Sequence, residues 1–270
     1  MIRDRHSWLR RAFVSFFVLA GLSLSRGAVS QPLGFMLEGN YFHTDPSGQI
    51  QLLGDIGAGV TLLSPEIDLK DDLGFTKKGV IPFGVRLLGK TTRFELEYLT
   101  MNQSVDTVLT RAVVFQGINY AVTDLVASEL RFRDISGSIR YESQVSPYMS
   151  VGAGIDIDGV RAEGTITDVT RSVTASETRN FIIPTGTLAV NLHDAARHIF
   201  VDVKASYISY QDSKAKKGRI EVGWAITENI GIKAGWRLLD VTYVKTRDAL
   251  PDDRLHIKLD GYYGGVFLVF

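Results

Sequence analysis

The sequence predicts an all-β fold, a closed antiparallel transmembrane up-and-down β-barrel of ten strands, with twelve as the alternative, following a cleaved signal peptide. Three observations carry this. Segments along the chain alternate apolar and polar residues with a period of two, the spacing that sends successive side chains to opposite faces of a strand. The links between them alternate between short and long. No segment after the first thirty residues approaches 18 uncharged apolar residues, so a membrane would be crossed by strands and not by a helix.

Residues 1–30 have the three-part layout of a secretory signal peptide. A basic stretch with Arg3, Arg5, Arg10 and Arg11 precedes the apolar run 12–24, and the small residues Ala28 and Ser30 follow. The run would reach roughly 20 Å as a helix, short of a hydrocarbon core of about 30 Å. The expected domains are therefore a signal peptide, 1–30, and a barrel, 31–270. Cleavage leaves 25 basic against 29 acidic residues, a net charge of about −4, with no basic stripe for a nucleic acid. There is no cysteine, which excludes a disulfide framework, a thiolate metal site and an acylated lipoprotein.

The strands follow in order. One is expected near 34–43, then nine at about 80–88, 93–104, 128–142, 148–158, 181–192, 198–209, 219–226, 230–243 and 256–270. In 220–226 the apolar set Ile220, Val222, Trp224, Ile226 alternates with Glu221, Gly223, Ala225. In 230–238 Ile230, Ile232, Ala234, Trp236, Leu238 alternate with Gly231, Lys233, Gly235, Arg237. Ile199, Val201, Val203, Ala205, Tyr207 alternate with Phe200, Asp202, Lys204, Ser206, and Phe94, Leu96, Tyr98 with Arg93, Glu95, Glu97. A soluble sandwich also alternates. Here the polar face mixes glycine with both charge signs while the apolar face is unbroken and ends in Trp or Tyr, which suits a barrel lumen and an aromatic girdle.

Short links fall at 89–92, 143–147, 193–198 and 227–229, and long ones at 105–127, 159–180, 211–218 and 244–255. Strict short–long alternation is the pattern of membrane barrels. Closure with both ends on one side needs an even number of strands. The segment 45–78, with its Gly and Asp residues, reads as a surface loop and favours ten; if 49–56 and 60–67 also cross, the count is twelve. One irregularity is Arg131 and Arg133, which share the outward parity of Ile135, Gly137, Ile139 and Tyr141. Either a bulge near Asp134 flips the register, or this part of the strand rises above the bilayer.

The segment 260–270 ends in Phe270 with Tyr262, Val266 and Leu268 at the alternate positions before it. It resembles the small Gram-negative outer-membrane β-barrel proteins. That resemblance implies residence in the cell outer membrane, among its lipids and lipopolysaccharide, and a last strand read by the barrel-assembly machinery. Leu73-Gly74-Phe75, 93–98, Val114-Phe115-Gln116-Gly117 and Ile139-Arg140-Tyr141 more loosely resemble a group of proteobacterial outer-membrane proteins without an assigned activity.

Inward charges form the main candidate constellation. Glu95, Glu97, Asp202, Glu221 and Glu142 face Arg86, Arg140, Lys204, Arg219, Lys233 and Arg237 across the lumen, either pairing to fill it or lining a narrow pore. Ten strands leave too little room for an open porin. Five histidines are poorly placed for catalysis. His256 with Asp248, Asp252 or Asp253 is the one candidate, and no nucleophile elbow, phosphate loop or cofactor motif is present. The expectation is a non-enzymatic structural or surface-interaction barrel acting through long extracellular loops, with a narrow channel for small or apolar solutes as the alternative and an outer-leaflet enzyme third.

Overall fold

The computed structural model describes residues 34–51, 53–55, 61–63, 65–194, 198–247 and 250–270. The expected signal segment lies outside them. Ten antiparallel strands form a ring, each paired with its chain neighbour: β1 (Gly34–Gln51), β2 (Phe83–Leu88), β3 (Thr92–Val108), β4 (Leu125–Ser146), β5 (Met149–Asp168), β6 (Val173–His193), β7 (Ile199–Tyr210), β8 (Ser213–Ala225), β9 (Ile230–Arg247) and β10 (Leu250–Val269). The ring closes between β1 and β10, in register from Met36 opposite Val269 to Gln51 opposite Arg254. Phe35 and Phe270 exchange backbone hydrogen bonds at 3.2 and 2.9 Å beside this seam.

Ten crossing strands is the favoured count. Within the segments 49–56 and 60–67, Leu53–Asp55 and Thr61–Leu63 pair with each other in a small sheet separate from the ring. β2 is short, and above it the pieces Lys78–Val80 and Ile67–Asp68 pair with β1 and continue the wall.

Most strands run well past their expected ends. β4 has 22 residues and β5 has 20, whereas a tilted strand crosses a bilayer in about 9–11. The expected loops 159–180, 211–218 and 244–255 are thus mostly strand: β5 and β6 stay paired up to Asp168 opposite Val173, β7 and β8 up to Tyr210 opposite Ser213. These segments look loop-like because their polar residues face water, yet they still alternate. Arg161, Glu163, Thr165 and Thr167 share the outward parity of β5, and Val160, Ala162 and Ile166 are buried inside.

The face that is apolar therefore changes along each strand. In the lower part Leu37, Tyr98, Ile155, Leu188, Val203, Ile220, Ile232 and Val266 are exposed on the outside, and the inside is charged. Higher up, Phe42, Leu99, Phe132, Val160, Ile183, Leu239 and Leu259 are buried inside. The change resolves the irregularity of β4. Pairing with β3 and β5 is regular from Leu125 to Gln144, so no bulge lies near Asp134, and Arg131 and Arg133 simply stand above the apolar belt.

Tight curvature relies on glycine at the seam. A β-carbon on Gly261 would collide with the backbone carbonyl of His43, whereas one on Gly264 would meet only the Lys233 carbonyl oxygen at 3.8 Å. Gly261→Ala is expected to destabilise the barrel by about 1–3 kcal/mol and Gly264→Ala to leave it unchanged, read as the temperature at which the heat-modifiable gel band converts.

Candidate functional site

Each residue of the inward charge set comes from a strand position of inward parity, and the ring brings most of them into one connected network, with Arg237, Glu97 and Asp134 as a separate cluster beside it. Arg86 on β2 reaches across the lumen to Glu221 on β8, at 2.5 and 3.0 Å, and to Glu38 on β1 at 2.9 Å. Lys233 on β9 bridges the same two carboxylates at 2.5 and 3.2 Å. Tyr263 on β10 donates its hydroxyl to Glu221 at 2.6 Å. Glu95 on β3 accepts from Arg140 at 3.1 Å, Arg219 at 3.0 Å and Lys204 at 3.3 Å. Asp202 on β7 lies 3.3 Å from Arg219, 3.4 Å from Arg93 and 3.6 Å from Arg140. Arg237 pairs with Glu97.

Of the eleven residues expected in this constellation, Arg86, Glu95, Arg140, Glu142, Asp202, Lys204, Arg219, Glu221 and Lys233 lie in the network, and Glu97 and Arg237 pair with each other beside it. Sequence reasoning missed Glu38, Asp134, Asp156, Asp158 and Lys217. Lys217 bonds Asp156 at 3.0 Å and Asp158 at 2.8 Å. Period-two counting could have found Asp156 and Asp158, which share the parity of Gly152 and Gly154 within the expected strand 148–158, whereas Lys217 falls in the expected loop 211–218.

The network is bounded by apolar side chains at both ends. Below it, the inward rings of Phe200 and Phe267 lie 5.7 Å apart, and a β-carbon on Gly223 or Gly231 would overlap them. Above it sits the apolar core, roofed by two loops that fold inward. From residues 65–77 come Ile67, Leu69, Leu73 and Phe75; from residues 109–124 come Leu109, Val113, Phe115 and Tyr120. The second loop is a small hairpin, Val113–Phe115 with Ile118–Tyr120, turned by Gln116 and Gly117 at φ 51° and 75°, the conformation of a type I′ turn. The expected exposed loop 105–127 is therefore a plug, because its apolar residues have a dry interior to fill. A cavity of about 40 Å³ lies among the charges, room for a few waters.

Two arginines tie the roof down. Arg111 donates to Asp72 at 2.6 Å and to the Glu66 carbonyl at 2.5 Å. Arg171, from the β5–β6 tip, donates to Asp168 at 2.6 Å, Asp124 at 2.9 Å and the Asn119 carbonyl at 3.0 Å. Burial raises the Asp72 carboxyl, but the Arg111 hydrogen bond, the Asp68 N–H at 2.7 Å and the Arg111 charge outweigh it and hold it below the usual carboxylate range.

Of the expected partners of His256, Asp253 is not brought to it, and the side chain of Asp252 lies outside the described residues. His256 faces outward and meets Asp240 at 3.0 Å, whereas Asp253 turns inward, where Arg179 bonds it at 2.8 Å, because successive residues of β10 point to opposite faces. Asp248 lies outside the described residues. Tyr262, Val266, Leu268 and Phe270 all point outward, Tyr262 73% and Phe270 67% exposed.

No known protein family and no curated protein matches the sequence. Among solved structures, the chain is similar to the outer membrane protease OmpT of Escherichia coli, at 10% identity and a TM-score of 0.54, over 89% of this chain and 99% of that one. It also aligns with Ail, the attachment invasion locus protein of Yersinia pestis (7%, TM-score 0.39, 89% and 100%), and with the outer membrane protein OprG of Pseudomonas aeruginosa (12%, 0.37, 89% and 97%). The fold is that of an outer-membrane β-barrel.

Two outcomes test this site. Glu221→Gln leaves Arg86 and Lys233 sharing the single carboxylate of Glu38, and is expected to destabilise the barrel by about 3–5 kcal/mol; replacing Glu38, Glu221, Arg86 and Lys233 together by Met should cost less, which a denaturant titration in detergent would measure. Asp72→Asn should raise proteolytic nicking or amide exchange of residues 65–77 and 109–124 about tenfold, the loss of a charge-assisted hydrogen bond. Because the Asp72 carboxyl titrates lower folded than unfolded, the latch contributes stability at pH above the unfolded value of about 3.9 and loses it as pH falls through the lower folded value. The wild-type roof should therefore stay protected at pH 5.

Proposed function

We propose that this protein resides in the outer membrane of a Gram-negative, proteobacterial cell as a non-conducting, non-enzymatic barrel with a structural or surface-interaction role. The observation that carries this reading is the occlusion of the lumen: paired charges around a cavity of about 40 Å³, between the Phe200–Phe267 floor and an apolar core. A solute would have to break ion pairs and melt the core to pass. Among the described residues, no group of His, Asp or Glu is arranged to hold a metal. What faces the outside is hairpins of β4, β5 and β6, whose outward residues are polar, so contacts with outer-membrane lipids and lipopolysaccharide are the interactions this surface supports. The outward row of Tyr262, Val266, Leu268 and Phe270 serves as the signal for the barrel-assembly machinery.

In planar bilayers the wild-type protein is expected to give no stepwise current, and Glu97→Ala with Arg237→Ala is expected to stay silent because floor and roof remain. Stepwise conductance in the wild type would sink this reading in favour of a channel. Lipid A or peptides altered by the purified barrel would sink the non-enzymatic part, and recovery from the soluble periplasmic fraction would sink the location.

A further inference from the structure

We propose that β4 and β5 carry a binding site for the phosphate group of an outer-leaflet glycolipid, built on Arg133 and Arg161. This rests on the outer-membrane reading and gives its surface a specific ligand. Arg133 and Arg161 stand directly opposite each other across the β4–β5 pair, both on the outward face. Facing outward like charges lie about 5 Å apart at their β-carbons, an arrangement that destabilises a sheet unless an anion bridges them. Arg133 is exposed and has no ion pair or hydrogen bond to another side chain among the described residues.

The rows of the sheet around this pair show what it would hold. At the same level, Thr100 stands beside Arg133 and Asn180 beside Arg161, so four neighbouring strands present hydrogen-bond donors and no carboxylate. One step towards the membrane the row is Tyr98, Ile135, Gly159 and Ile182, part of the apolar belt. One step away from it the row is Asn102, Arg131, Glu163 and Thr178. There Glu163 accepts from Arg161 at 3.4 Å and lies 3.8 Å from Arg131, and Glu129 holds Arg131 at 2.7 Å.

The carboxylates thus lie on the far side of the arginine pair from the bilayer, and they orient Arg131 and Arg161 without covering Arg133. The donors sit one residue step above the apolar belt, at the depth of lipid headgroups, and Gly159 leaves low relief below them for an acyl chain. Guanidinium forks take phosphate oxygens two at a time. A soluble anion would gain nothing from the apolar row, so the occupant is a lipid carrying a phosphomonoester.

The test uses the full chain refolded in detergent and native mass spectrometry with bisphosphorylated lipid A, the same lipid stripped of its phosphates, phosphatidylethanolamine and inorganic phosphate. Bisphosphorylated lipid A should be retained. Arg133→Gln and Arg161→Gln should each weaken it about tenfold, one charge-assisted hydrogen bond's worth, while Lys216→Gln, an outward lysine on β8, should not. Retention of the dephosphorylated lipid as strongly, equal binding by inorganic phosphate, or wild-type affinity in the double arginine variant with its folded gel mobility intact would overturn the site. Recovery of the barrel from a membrane other than the outer one would overturn the location reading and leave these affinities standing.

Discussion

Everything in this molecule follows from closing a ten-stranded ring in a solvent without hydrogen-bond donors. Within hydrocarbon each backbone N–H and C=O must be satisfied by a neighbouring strand, so β10 has to return to β1, which it does over sixteen residue pairs from Met36–Val269 to Gln51–Arg254. Ten strands make a ring little wider than its own side chains. What points inward therefore meets its opposite number, and Arg86 on β2 can touch Glu221 on β8. A buried charge in such a space is tolerable only when paired. Hence the charges share partners, with Glu95 held by Arg140, Arg219 and Lys204.

The second consequence concerns what happens where the strands leave the lipid. The ring continues unbroken, but the medium outside is now water, and the preference of each face reverses. On β3 the inward residues run Glu95, Glu97, then Leu99 and Met101, and on β10 they run Tyr263, then Leu259, Ile257 and Leu255. The upper part is built like a soluble barrel, with Phe75, Phe115 and Tyr120 inserted from the loops to complete a core that strands alone would leave hollow. Arg111 and Arg171 hold those loops by their charged ends at the rim, where water is available to the remaining donors.

The membrane half was legible in the sequence because its signal is redundant: parity, glycine content, aromatic ends and link lengths agree from 80 to 270. The charges most easily assigned were those inside clear alternation, such as Glu221 between Ile220 and Val222. The upper half was not legible, for a physical reason. An amphipathic strand reads the same whichever face is wet, so Val160-Arg161-Ala162-Glu163 with few large apolar residues resembles a polar loop unless one expects the sign to invert. The loop 105–127 was misjudged in the opposite sense. Its apolar residues Val113, Phe115 and Tyr120 are separated by a Gln-Gly turn, and only the presence of an unfilled barrel mouth explains where they go.

The inversion also accounts for why the lumen is charged at all. An apolar lumen would fill the same volume without the desolvation that paired charges suffer, but its strands would be apolar on both faces. Pairing could then slip by one residue at little cost, because in strands a one-residue shift only exchanges the two faces. With Arg86, Arg140, Lys233 and their partners inside, a slip sends cations into lipid at about 2–4 kcal/mol each near the midplane. In the upper half the same slip would turn Leu99, Phe132 and Leu259 out to water and bring Arg133 and Arg161 into the core. Both halves of each strand thus reject the same error, one through lipid and one through water, and the unusually long strands carry both tests on a single backbone.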